Sequence, residues 1–440
     1  MEQQQVTRRG FLGSAAAAAG VTIVSPRVLG GQEGQAPAEK LNIACVGVGG
    51  RAEAHVNAAG DQHNLVAICD VDKGRLGVQA GKHPKAKTYT DYRRMFDEVA
   101  KEVDAVFVAT PDHHHAAATM AALRLGKHVY CEKPLTHSVW EARQVTEAAR
   151  RAKVATQMGN QGFSKEGTRL LAEWVAAGAI GKVTEAHLWT DRPIWPQGLE
   201  ERPRTKPIPA SLDWDLWIGP APWRDYHDLL HPFAWRGWWD FGCGALGDMG
   251  CHGMAPVFFA LKLGYPTAVE AETSGVLKES APAWSIVRYE FPARGDMPPV
   301  KLTWYDGKKK PPRPEDLEED RQLGDSGTLL VGDKGKLMVV DDNPRIIPEA
   351  KMREFKRPPK TLPRIPAGDH QKDWFTACKG GRPACSNFDF SGPLTEAVLA
   401  GNVAIRAGKR LEWDGPGIKA ANAPEADAFI RREYRKGWSL

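Results

Sequence analysis

The chain has 440 residues, of which 42% are hydrophobic and 26% are charged, and its formal net charge is +5. These values are ordinary for globular proteins, and the length allows two domains with a sizeable core. The positive charge is too weak and too dispersed to favour nucleic acid as a partner. Seven cysteines are scattered along the chain without a Cys-x-x-Cys pair, so we expect no disulfide framework.

The first 38 residues have the pattern of an export signal. Two arginines within residues 7–12 precede an alanine-rich stretch over 10–24, and Ala36-Pro37-Ala38 offers a small-residue cleavage site. This order resembles a twin-arginine translocation signal, which directs already folded proteins out of the cytoplasm. The stretch is too short and too mildly apolar for stable membrane insertion. We therefore expect the twin-arginine translocation machinery as a partner and the periplasm as the destination.

Between residues 41 and 160, strand-like and helix-like segments alternate. Near-continuous apolar strands that alternate with helices are typical of a parallel sheet covered on both faces. The pattern predicts a doubly wound, Rossmann-type α/β domain over 41–160. The predicted strands are 42–46, 65–69, 105–109 and 128–131, and the predicted helices are 51–59, 92–100, 114–125 and 139–151.

The pattern changes after residue 160, where a run of strands with few helices begins. Such a run predicts a second, α+β domain over 161–440 with an open, mostly antiparallel sheet. The predicted strands are 183–190, 268–276, 285–291, 300–305, 328–331 and 336–340, and the predicted helices are 167–177, 369–378 and 393–406.

A glycine-rich turn, Gly47-Val48-Gly49-Gly50-Arg51-Ala52, follows the first predicted strand and precedes a helix. In the G-x-G-x-x-G/A pattern, the first glycine permits the tight turn, the second lets the backbone approach a pyrophosphate, and the third small residue allows close helix packing. Asp70 ends the next predicted strand, where a carboxylate accepts hydrogen bonds from ribose hydroxyls and repels a 2′-phosphate. The cofactor predicted from these residues is NAD. NADP is the less favoured alternative, and Arg51 and Arg75 support it.

Two further clusters carry groups suited to proton chemistry. Lys133 lies at the end of a predicted strand, where the ligand crevice of a doubly wound sheet forms, and its ammonium can donate to an oxygen of cofactor or substrate. An ordinary surface lysine is the alternative interpretation. Asp248 and His252 follow a glycine-rich lead-in and are four residues apart, so a helix starting there would place both on one face.

No metal site is predicted. The spacing of the Cys, Asp and His residues in 243–252 matches no usual zinc pattern, and no partner cluster exists elsewhere in the sequence. His113, His114 and His115 are successive residues at the start of a predicted helix, so their side chains should point in different directions. We therefore expect no bound metal ion.

Together these segments resemble the Gfo/Idh/MocA family of oxidoreductases over about residues 41–440. The matching segments are the turn 47–52, Asp70, Thr110-Pro111 with His115, Glu132-Lys133-Pro134, Asp248 with His252, and Tyr434-Arg435-Lys436-Gly437-Trp438, which looks like the exported bacterial branch. The resemblance implies a Rossmann domain plus an open α/β domain whose sheet often mediates oligomers, so a homodimer or homotetramer is expected. It also implies NAD(P) and a polyol or sugar substrate.

The resemblance implies roles for individual residues as well. Lys133 and His252 are the expected catalytic pair, and Asp248 is expected to orient the substrate. In the oxidation of a secondary alcohol, His252 would act as the general base, because its ordinary pKa lies near neutrality. Lys133 would stabilise the developing alkoxide. The expected cofactor-binding residues are Gly47, Gly49, Gly50, Arg51, Ala52, Asp70, Thr110, Pro111, His115, Glu132 and Lys133.

Eight of the fifteen tryptophans fall within residues 189–239. Indole rings stack on the C–H faces of sugars, but core packing is the expected role for most of these eight. Trp235 and Arg236, shortly before the Asp248–His252 tract, are the expected substrate contacts. Asn160 and Gln161 are candidates for binding substrate hydroxyls, with loop capping as an equally favoured alternative.

An exported dehydrogenase meets little free NAD, so we expect the cofactor to be tightly bound and regenerated within the site. The hydride can pass to a second sugar, the reduced cofactor can be reoxidised by an external acceptor, or the hydride can return to the same sugar in a redox-neutral cycle that resembles NAD-dependent glycosidases. The first step is the same in all three cases, the oxidation of a hydroxyl of a sugar, glycoside or polyol. A non-catalytic sugar-binding module is the alternative from another class.

Overall fold

The computed structural model describes residues 40–340 and 342–440, so the predicted export signal over 1–38 lies outside the described residues. Two sheets organise the described part of the chain. One sheet is parallel and has six strands, and the other is mostly antiparallel and has nine. The predicted fold class, a Rossmann sheet followed by an α+β domain with an open sheet, is confirmed.

The strands of the first sheet are β1 (Asn42–Val46), β2 (Asn64–Cys69), β3 (Lys87–Tyr89), β4 (Ala105–Val108), β5 (His128–Glu132) and β6 (Thr156–Gly159). They lie in the order β3-β2-β1-β4-β5-β6, and every pairing is parallel. The strand order reverses between β1 and β4, and in such sheets ligands bind in the crevice outside the carboxyl ends of the strands.

The helices of this half are α1 (Ala52–Gln62), α2 (Lys73–Lys82), α3 (Tyr92–Val99), α4 (Asp112–Arg124) and α5 (Val139–Ala152). The sequence pattern did not predict α2, β3 or β6. In α2 only Leu76 and Gln79 are buried, so the helix lacks a clear apolar stripe. Its start is set instead by Asp72, whose side chain accepts the backbone N–H groups of Gly74 and Arg75.

The strands of the second sheet are β7 (Val183–Trp189), β8 (Ala268–Thr273), β9 (Ser285–Phe291), β10 (Val300–Tyr305), β11 (Gly327–Gly332), β12 (Gly335–Val340), β13 (Asn343–Ile347), β14 (Leu411–Asp414) and β15 (Lys419–Ala420). Their order is β13-β12-β11-β7-β10-β9-β8-β14-β15. Only the pairing of β7 with β10 is parallel among the described strands of this sheet.

The helices of the second half are α6 (Glu166–Ala176), α7 (Trp214–Ile218), α8 (Gly244–Ala260), α9 (Glu349–Glu354), α10 (His370–Cys378), α11 (Phe388–Ala407) and α12 (Asp427–Ile430). The helix considered for the Asp248–His252 tract is α8. It begins at Gly244, whose φ of +61° is a conformation that glycine adopts without strain. Among the described helices, none is both long enough and apolar enough to cross a membrane.

One hydrophobic core serves both sheets, because its buried residues include Val129 of β5 and Leu302 of β10. Trp374 of α10 lies 4.7 Å from Phe107 of β4 between ring centroids, so a helix from the later part of the chain covers the first sheet. Seven of the eight clustered tryptophans are buried, and Trp223 is 55% exposed, which agrees with the core role expected for most of them. All seven cysteines are free.

Candidate active site

A cavity of about 500 Å³ lies at the carboxyl ends of the parallel strands. Its wall is built from the turns that follow β1, β2, β3, β4 and β5, from residues 216–236, from one side chain of α8, and from Gln161 and Trp438. The predicted site residues on this wall are Gly47, Gly49, Gly50, Arg51, Asp70, Thr110, Pro111, Glu132, Lys133, Gln161, Trp235, Arg236 and His252. The fold therefore brings the glycine turn and the expected catalytic pair to one cavity.

Gly47 makes the tight turn between β1 and α1. Its φ is +84°, and its N–H donates to the carbonyl oxygen of Cys69 at 2.8 Å. A Cβ at this position would lie 2.6 Å from the carbonyl oxygen of Ala109, so any other residue would have to displace the end of β4. Gly50 also has a positive φ, +60°, but a Cβ there would meet nothing within 4 Å. The turn thus needs glycine at 47 for both space and conformation, and at 50 for conformation alone.

The side chain of Arg75 lies over Gly49. A Cβ on Gly49 would be 2.5 Å from Cδ and 2.7 Å from Nη1 of Arg75. The space predicted to admit a pyrophosphate is therefore occupied by a cationic side chain. A guanidinium pairs with phosphate oxygens, and the start of a helix also favours an anion, so this corner of the cavity suits a phosphate group.

Asp70 braces the glycine turn in addition to facing the cavity. Its Oδ2 accepts the N–H of Val48 and its Oδ1 accepts the N–H of Asp72, both at 2.9 Å. Burial raises the pKa of Asp70, although these two hydrogen bonds oppose the shift. Because a carboxylate offers about four lone-pair positions, Asp70 retains acceptor capacity for a ligand hydroxyl.

Glu132, on the cavity wall, contacts three residues, of which Arg51 and Gln161 also line the cavity. The same oxygen accepts hydrogen bonds from His55 at 2.8 Å and from Gln161 at 2.7 Å, and Nε of Arg51 lies 3.6 Å from it. Burial alone would raise the pKa of Glu132, but the His55 hydrogen bond and the neighbouring positive charges outweigh it and lower the pKa to about 2. Glu132 is therefore ionised, and it fixes the amide of Gln161 at the wall.

Lys133 and Asp248 form a largely buried ion pair. Nζ of Lys133 lies 2.5 Å from Oδ1 of Asp248, and Nε of Arg236 lies 3.4 Å from the same oxygen. Burial alone would lower the pKa of Lys133, but the Asp248 carboxylate outweighs burial and raises it. Burial alone would raise the pKa of Asp248, but Lys133 and Arg236 outweigh burial and lower it. Both partners are therefore charged at neutral pH.

His252 lies about one turn after Asp248 on α8 and forms part of the cavity wall. Burial and the positive charge of Lys133 lower the pKa of His252 to about 4, although the charge of Asp248 opposes the shift. The imidazole is therefore neutral at pH 7, and one ring nitrogen carries a free lone pair. The cavity wall thus presents a neutral proton acceptor and an ammonium group.

Among the predicted site residues, Ala52, Asp248, His115 and Asn160 do not line the cavity. Ala52 is 1% exposed in the first turn of α1, where its small side chain permits close packing of the helix instead of contact with a ligand. Asp248 is 6% exposed and forms ion pairs with the wall residues Lys133 and Arg236.

The expectation that His115 binds the cofactor is corrected by its enclosure. Its Nδ1 lies 2.7 Å from the carbonyl oxygen of Pro134, its Nε2 lies 2.8 Å from that of Thr110, and the residue is 1% exposed. The ring has no free edge toward the cavity, because backbone carbonyls meet both nitrogens. His115 therefore links the turns after β4 and β5, and this link positions Thr110 and Lys133.

Asn160, for which substrate binding was also predicted, does not line the cavity. The residue is fully buried, and its Nδ2 donates to the carbonyl oxygen of Cys251 at 3.2 Å. Its Oδ1 is buried without a hydrogen-bond partner among the described residues. Asn160 thus connects the end of β6 to the residue before His252. Gln161, the other candidate, does line the cavity.

His113 and His114 converge on one atom, whereas their side chains were predicted to diverge. Their Nε2 atoms lie 2.8 Å and 3.0 Å from the carbonyl oxygen of Trp217, and their ring centroids are 4.6 Å apart. The two rings therefore attach the start of α4 to α7. Within residues 40–340 and 342–440, no three His, Cys, Asp or Glu side chains are grouped so as to hold a metal ion.

Asp112 lines the cavity although the sequence analysis did not select it. It is 2% exposed, and its Oδ2 accepts the N–H of Cys243, the residue before α8, at 3.1 Å. Burial and the charge of Asp248 raise the pKa of Asp112 to about 7, and the charge of Lys133 opposes this. The available signal was its position directly after the Thr-Pro pair, at the first residue of α4.

The segment between β7 and α8 forms another side of the cavity. Its Ser211 carbonyl accepts the N–H of Lys73 at 2.8 Å, and the N–H of its Asp213 donates to the carbonyl of Val71 at 3.0 Å, so it is attached to the end of β2. The guanidinium of Arg236 lies over the aromatic rings of Trp235 and Phe233. The wall residues of this segment are Leu216, Trp217, His231, Pro232, Phe233, Trp235 and Arg236.

Two profiles of one family match the chain. The profile described as an oxidoreductase family with an NAD-binding Rossmann fold matches residues 41–160, and the profile of that family's C-terminal alpha/beta domain matches residues 173–296. Together the two matches cover more than half of the chain. The chain belongs to the Gfo/Idh/MocA family.

Curated proteins of similar sequence include inositol 2-dehydrogenase of Salmonella typhimurium, which is 29% identical over 152 residues, or 33% of this chain and 45% of the relative. The 1,5-anhydro-D-fructose reductase of Ensifer adhaerens is 38% identical over 125 residues, or 28% of this chain and 37% of the relative. The chain thus spans less than half the length of these relatives. A solved structure of similar fold is the WlbA dehydrogenase from Bordetella pertussis in complex with NADH and UDP-GlcNAcA, with a TM-score of 0.58, 17% identity, and coverage of 85% of this chain and 99% of that one.

The cavity of this Gfo/Idh/MocA protein fits the nicotinamide dinucleotide that its Rossmann family binds. The close approach of Gly47 to Ala109 leaves the turn without a side chain on that side. The hydroxyl of Thr110, on the cavity wall, is buried without a hydrogen-bond partner within the described part of the chain. Arg75 and the start of α1 suit the pyrophosphate, and Asp70 suits a ribose hydroxyl. The donors and acceptors that a dinucleotide needs are therefore present.

Proposed function

We propose that this protein is an NAD-dependent oxidoreductase that acts on a secondary hydroxyl of a sugar, glycoside or polyol. The observation that carries the proposal is that charged Lys133, held by Asp248, and neutral His252 belong to the cavity that also contains the Gly47 turn and Asp70. The names of the relatives that act on inositol and on 1,5-anhydro-D-fructose support this substrate class. Asp70 favours NAD over NADP, since a carboxylate there repels a 2′-phosphate.

Bound NAD supplies the acceptor for the hydrogen and the electron pair that leave the alcohol carbon. His252 accepts the hydroxyl proton at its free ring nitrogen. The Lys133 ammonium stabilises the negative charge that develops on the alcohol oxygen. Asp248 positions the ammonium and keeps it protonated. The raised pKa of Lys133 assigns it to charge stabilisation, because a lysine that holds its proton at neutral pH cannot serve as the base.

A base whose pKa is about 4 is weak at neutral pH, because proton transfer is most efficient when the pKa lies near the working pH. The positive charge of Lys133 is one cause of this low value. The same charge lowers the pKa of any hydroxyl beside it, since it stabilises the alkoxide. The pKa values of the substrate hydroxyl and of His252 are therefore both lowered, and this partly restores the match between the proton donor and the proton acceptor.

The part of the cavity formed by residues 231–236 suits a polyhydroxylated ring. Trp235 and Phe233 offer flat apolar surfaces for C–H faces, and the guanidinium of Arg236 offers several donors for hydroxyl oxygens. The amide of Gln161, fixed by Glu132, adds another polar group at the wall. We therefore assign Trp235, Arg236 and Gln161 to substrate binding and withdraw Asn160 from that role.

We also propose that the protein is exported through the twin-arginine machinery to the periplasm and retains NAD tightly. Residues 7–12 and the alanine-rich stretch after them support the export. Several separate parts of the chain form the cavity wall, which supports slow release of a ligand. Replacing Arg8 and Arg9 together by lysine should keep the full chain in the cytoplasm on cell fractionation, whereas the unaltered chain should appear in the periplasm.

A homodimer or homotetramer formed through the second sheet is the assembly that we propose. The family resemblance supports it. Arg288 on β9 and Lys301 on β10 are exposed on neighbouring inner strands of that sheet, where substitutions can probe this face. Light scattering on the purified full chain distinguishes these assemblies from a monomer. Replacing both residues by glutamate should lower the mass if this face is the interface.

Two other functions compete with net oxidation. An NAD-dependent glycosidase would oxidise the sugar, eliminate the glycosidic oxygen, add water and reduce the carbon again, with the same residues at the first step. A non-catalytic sugar-binding module would use the cavity without turnover. The charged Lys133–Asp248 pair favours a catalyst over this module, because holding an ammonium in a largely buried site has no evident purpose in neutral sugar binding.

The decisive experiment releases the nucleotide from the purified full chain, identifies it, and then screens glycosides and polyols for products. Bound NAD together with a keto-sugar and the near-ultraviolet absorbance of reduced nicotinamide supports net oxidation. Release of free sugar without net reduction supports the glycosidase. Sugar binding without any spectral or chemical change supports the binding module. A protein that binds neither NAD nor NADP overturns the proposal.

A further inference from the structure

Trp438 lies on the cavity wall. The strand order places β3 at one edge of the parallel sheet, and Asp91 and Tyr92, which follow β3, also line the cavity. Asp70, at the end of β2, is the next wall residue along the sheet. Trp438 contacts Tyr92 and Arg93, which follow β3.

The segment 431–440, which carries Trp438, is attached to the Rossmann half by a buried carboxylate. Nε of Arg432 lies 2.8 Å from Oε1 of Glu141 in α5, and the hydroxyl of Tyr434 donates to the same oxygen at 2.5 Å. Glu141 is fully buried. Removing one partner of such a group leaves a buried charge without compensation, so this attachment holds the segment in place.

A second attachment joins the same segment to α7. Arg435 pairs with the Asp215 carboxylate at 2.5 Å, its Nε donates to the carbonyl of Gly219 at 2.9 Å, and its N–H donates to the carbonyl of Pro220 at 3.0 Å. The N–H of Trp438 then donates to the carbonyl of Arg435 at 3.0 Å, which closes a turn. The position of the indole is therefore fixed from two sides.

The indole of Trp438 is half-buried among aromatic and cationic groups. Its ring centroid lies 6.1 Å from that of Tyr92 and 5.3 Å from that of His114. The guanidinium of Arg93 lies 4.3 Å from its centroid. Because the same residue also forms part of the cavity wall, the indole offers an ordered aromatic surface to whatever binds there.

We propose that Trp438 forms a wall of the adenine site, so that the segment 431–440 controls how long NAD stays bound. This inference rests on the proposed NAD-dependent function. An acidic residue at the end of β2 binds the adenosine ribose in dinucleotide-binding folds, so the base belongs on the side of Asp70 that faces β3. Adenine is flat and stacks on indole rings, which lose little conformational entropy on binding because they are already fixed.

The test compares the full chain with Trp438→Ala and Trp438→Phe, using 5′-AMP and nicotinamide mononucleotide as separate probes of the two halves of NAD. Trp438→Ala should weaken AMP binding by about 5- to 100-fold and leave binding of the mononucleotide unchanged, as expected for the loss of one stacked base. Trp438→Phe should retain most of the AMP affinity. The rate at which NAD leaves the protein should rise in the alanine variant in proportion to the lost affinity.

Trp284→Ala is the matched control, because Trp284 is also half-buried beneath a cation, with Lys309 at 4.2 Å, but does not line the cavity. It should bind AMP like the unaltered chain. Should Trp438→Ala fail to fold, Trp438→Leu makes the same comparison, since leucine fills much of the volume without an aromatic face.

Equal AMP affinity in the alanine variant and the unaltered chain would overturn the inference and leave the proposed function standing. An equal loss in the alanine and phenylalanine variants would also overturn stacking as the cause. If the unaltered chain binds neither NAD nor AMP, the proposed function itself fails.

Discussion

Nζ of Lys133 lies 2.5 Å from Oδ1 of Asp248, although 115 positions separate the two residues in the sequence. The contact joins the end of β5 to the first turns of α8, and therefore joins the parallel sheet to the helix that carries His252. Each partner outweighs the effect of burial on the pKa of the other, so the pair stays charged. The protonation state needed for catalysis at Lys133 thus depends on a residue that does not reach the cavity.

The first prediction concerns Asp248→Asn. Without the carboxylate, burial is left to lower the pKa of Lys133, so the ammonium is lost at a lower pH than in the unaltered enzyme. We expect kcat to fall by about 100-fold at high pH, where the variant loses more of the ammonium than the unaltered enzyme does, and to fall less at low pH. The pH dependence of kcat, measured with a substrate found in the screen, checks this.

Asp389→Asn is the control for that substitution. Asp389 also forms an ion pair of 2.5 Å, with Arg150, but the two side chains are 65% and 55% exposed. Exposed pairs contribute little, so neither kcat nor its pH dependence should change. An Asp248→Asn enzyme whose activity falls equally at every pH would contradict the explanation from Lys133.

The second prediction concerns His252 as the general base. His252→Gln should lower kcat by about 10²- to 10⁴-fold and leave NAD binding intact, because a positioned base contributes roughly that factor. Since the pKa of His252 is lowered to about 4, kcat/KM of the unaltered enzyme should stay level as the pH falls below 6.5 and decline only near pH 4. A decline centred near the ordinary histidine value would show that burial does not act on the catalytic base.

The third prediction compares two glycines of the same turn. Gly47→Ala should lower the free energy of unfolding by about 2–4 kcal/mol and abolish NAD binding, because φ is +84° and the new Cβ would lie 2.6 Å from the carbonyl oxygen of Ala109. Gly50→Ala should lower it by only about 1 kcal/mol, since φ is +60° but the surrounding space is open. Denaturant unfolding of both variants measures the difference, and equal losses would refute the steric explanation.

Local sequence patterns predicted the fold well because each follows from a single physical rule. Apolar runs predicted β1, β2, β4 and β5, and the turn at Gly47 followed from a spacing that the backbone itself requires. In contrast, β6 contains the polar residue Gln157, which is buried because its amide pairs with Ser386 and with His370. A partner more than 200 positions away leaves no trace in a local pattern.

Site residues were predictable where the motif residue itself faces the ligand, and were not where it supports a neighbour. Lys133 lies on the wall, as expected for a group at the carboxyl edge of a parallel sheet, and His252 lies on the wall from α8. His115 and Asn160 belong to motifs of the same region, but both ring nitrogens of His115 and the amide nitrogen of Asn160 lie at backbone carbonyl oxygens. Trp438 was noticed only as part of a resemblance, because its place on the wall depends on the path of the whole chain.

The fourth prediction concerns stability against pH. Burial lowers the pKa of His114, His231, His252 and His370 to about 4 from an ordinary value of 6.5. Between these two values the unfolded chain binds protons that the folded chain does not, so these histidines make the folded state less stable as the pH falls from about 6.5 to about 4.

Two buried carboxyl groups act in the opposite direction. Burial raises the pKa of Asp112 to about 7 and that of Asp306 to about 6, from an ordinary value of 3.8. In that range the folded chain holds protons that the unfolded chain has lost, so the stability that these two groups add is present at low pH and disappears as the pH rises through about 6 and 7. Burial also lowers the pKa values of His113 and His137 well below the ordinary value, so the neutral histidines outnumber these two aspartates and the unfolded state binds more protons near pH 5.5.

The net result is a free energy of unfolding that rises with pH between about 4.5 and 6.5. Each net proton contributes about 1.4 kcal/mol per pH unit, and because the excess is more than one proton, the slope should be steeper than about 1.4 kcal/mol per pH unit. Denaturant unfolding of the full chain at a series of pH values measures this slope. His370 lies outside the cavity, and the substitution His370→Gln should reduce the slope by the contribution of about one proton. A slope that is flat or negative would contradict the burial of neutral histidines.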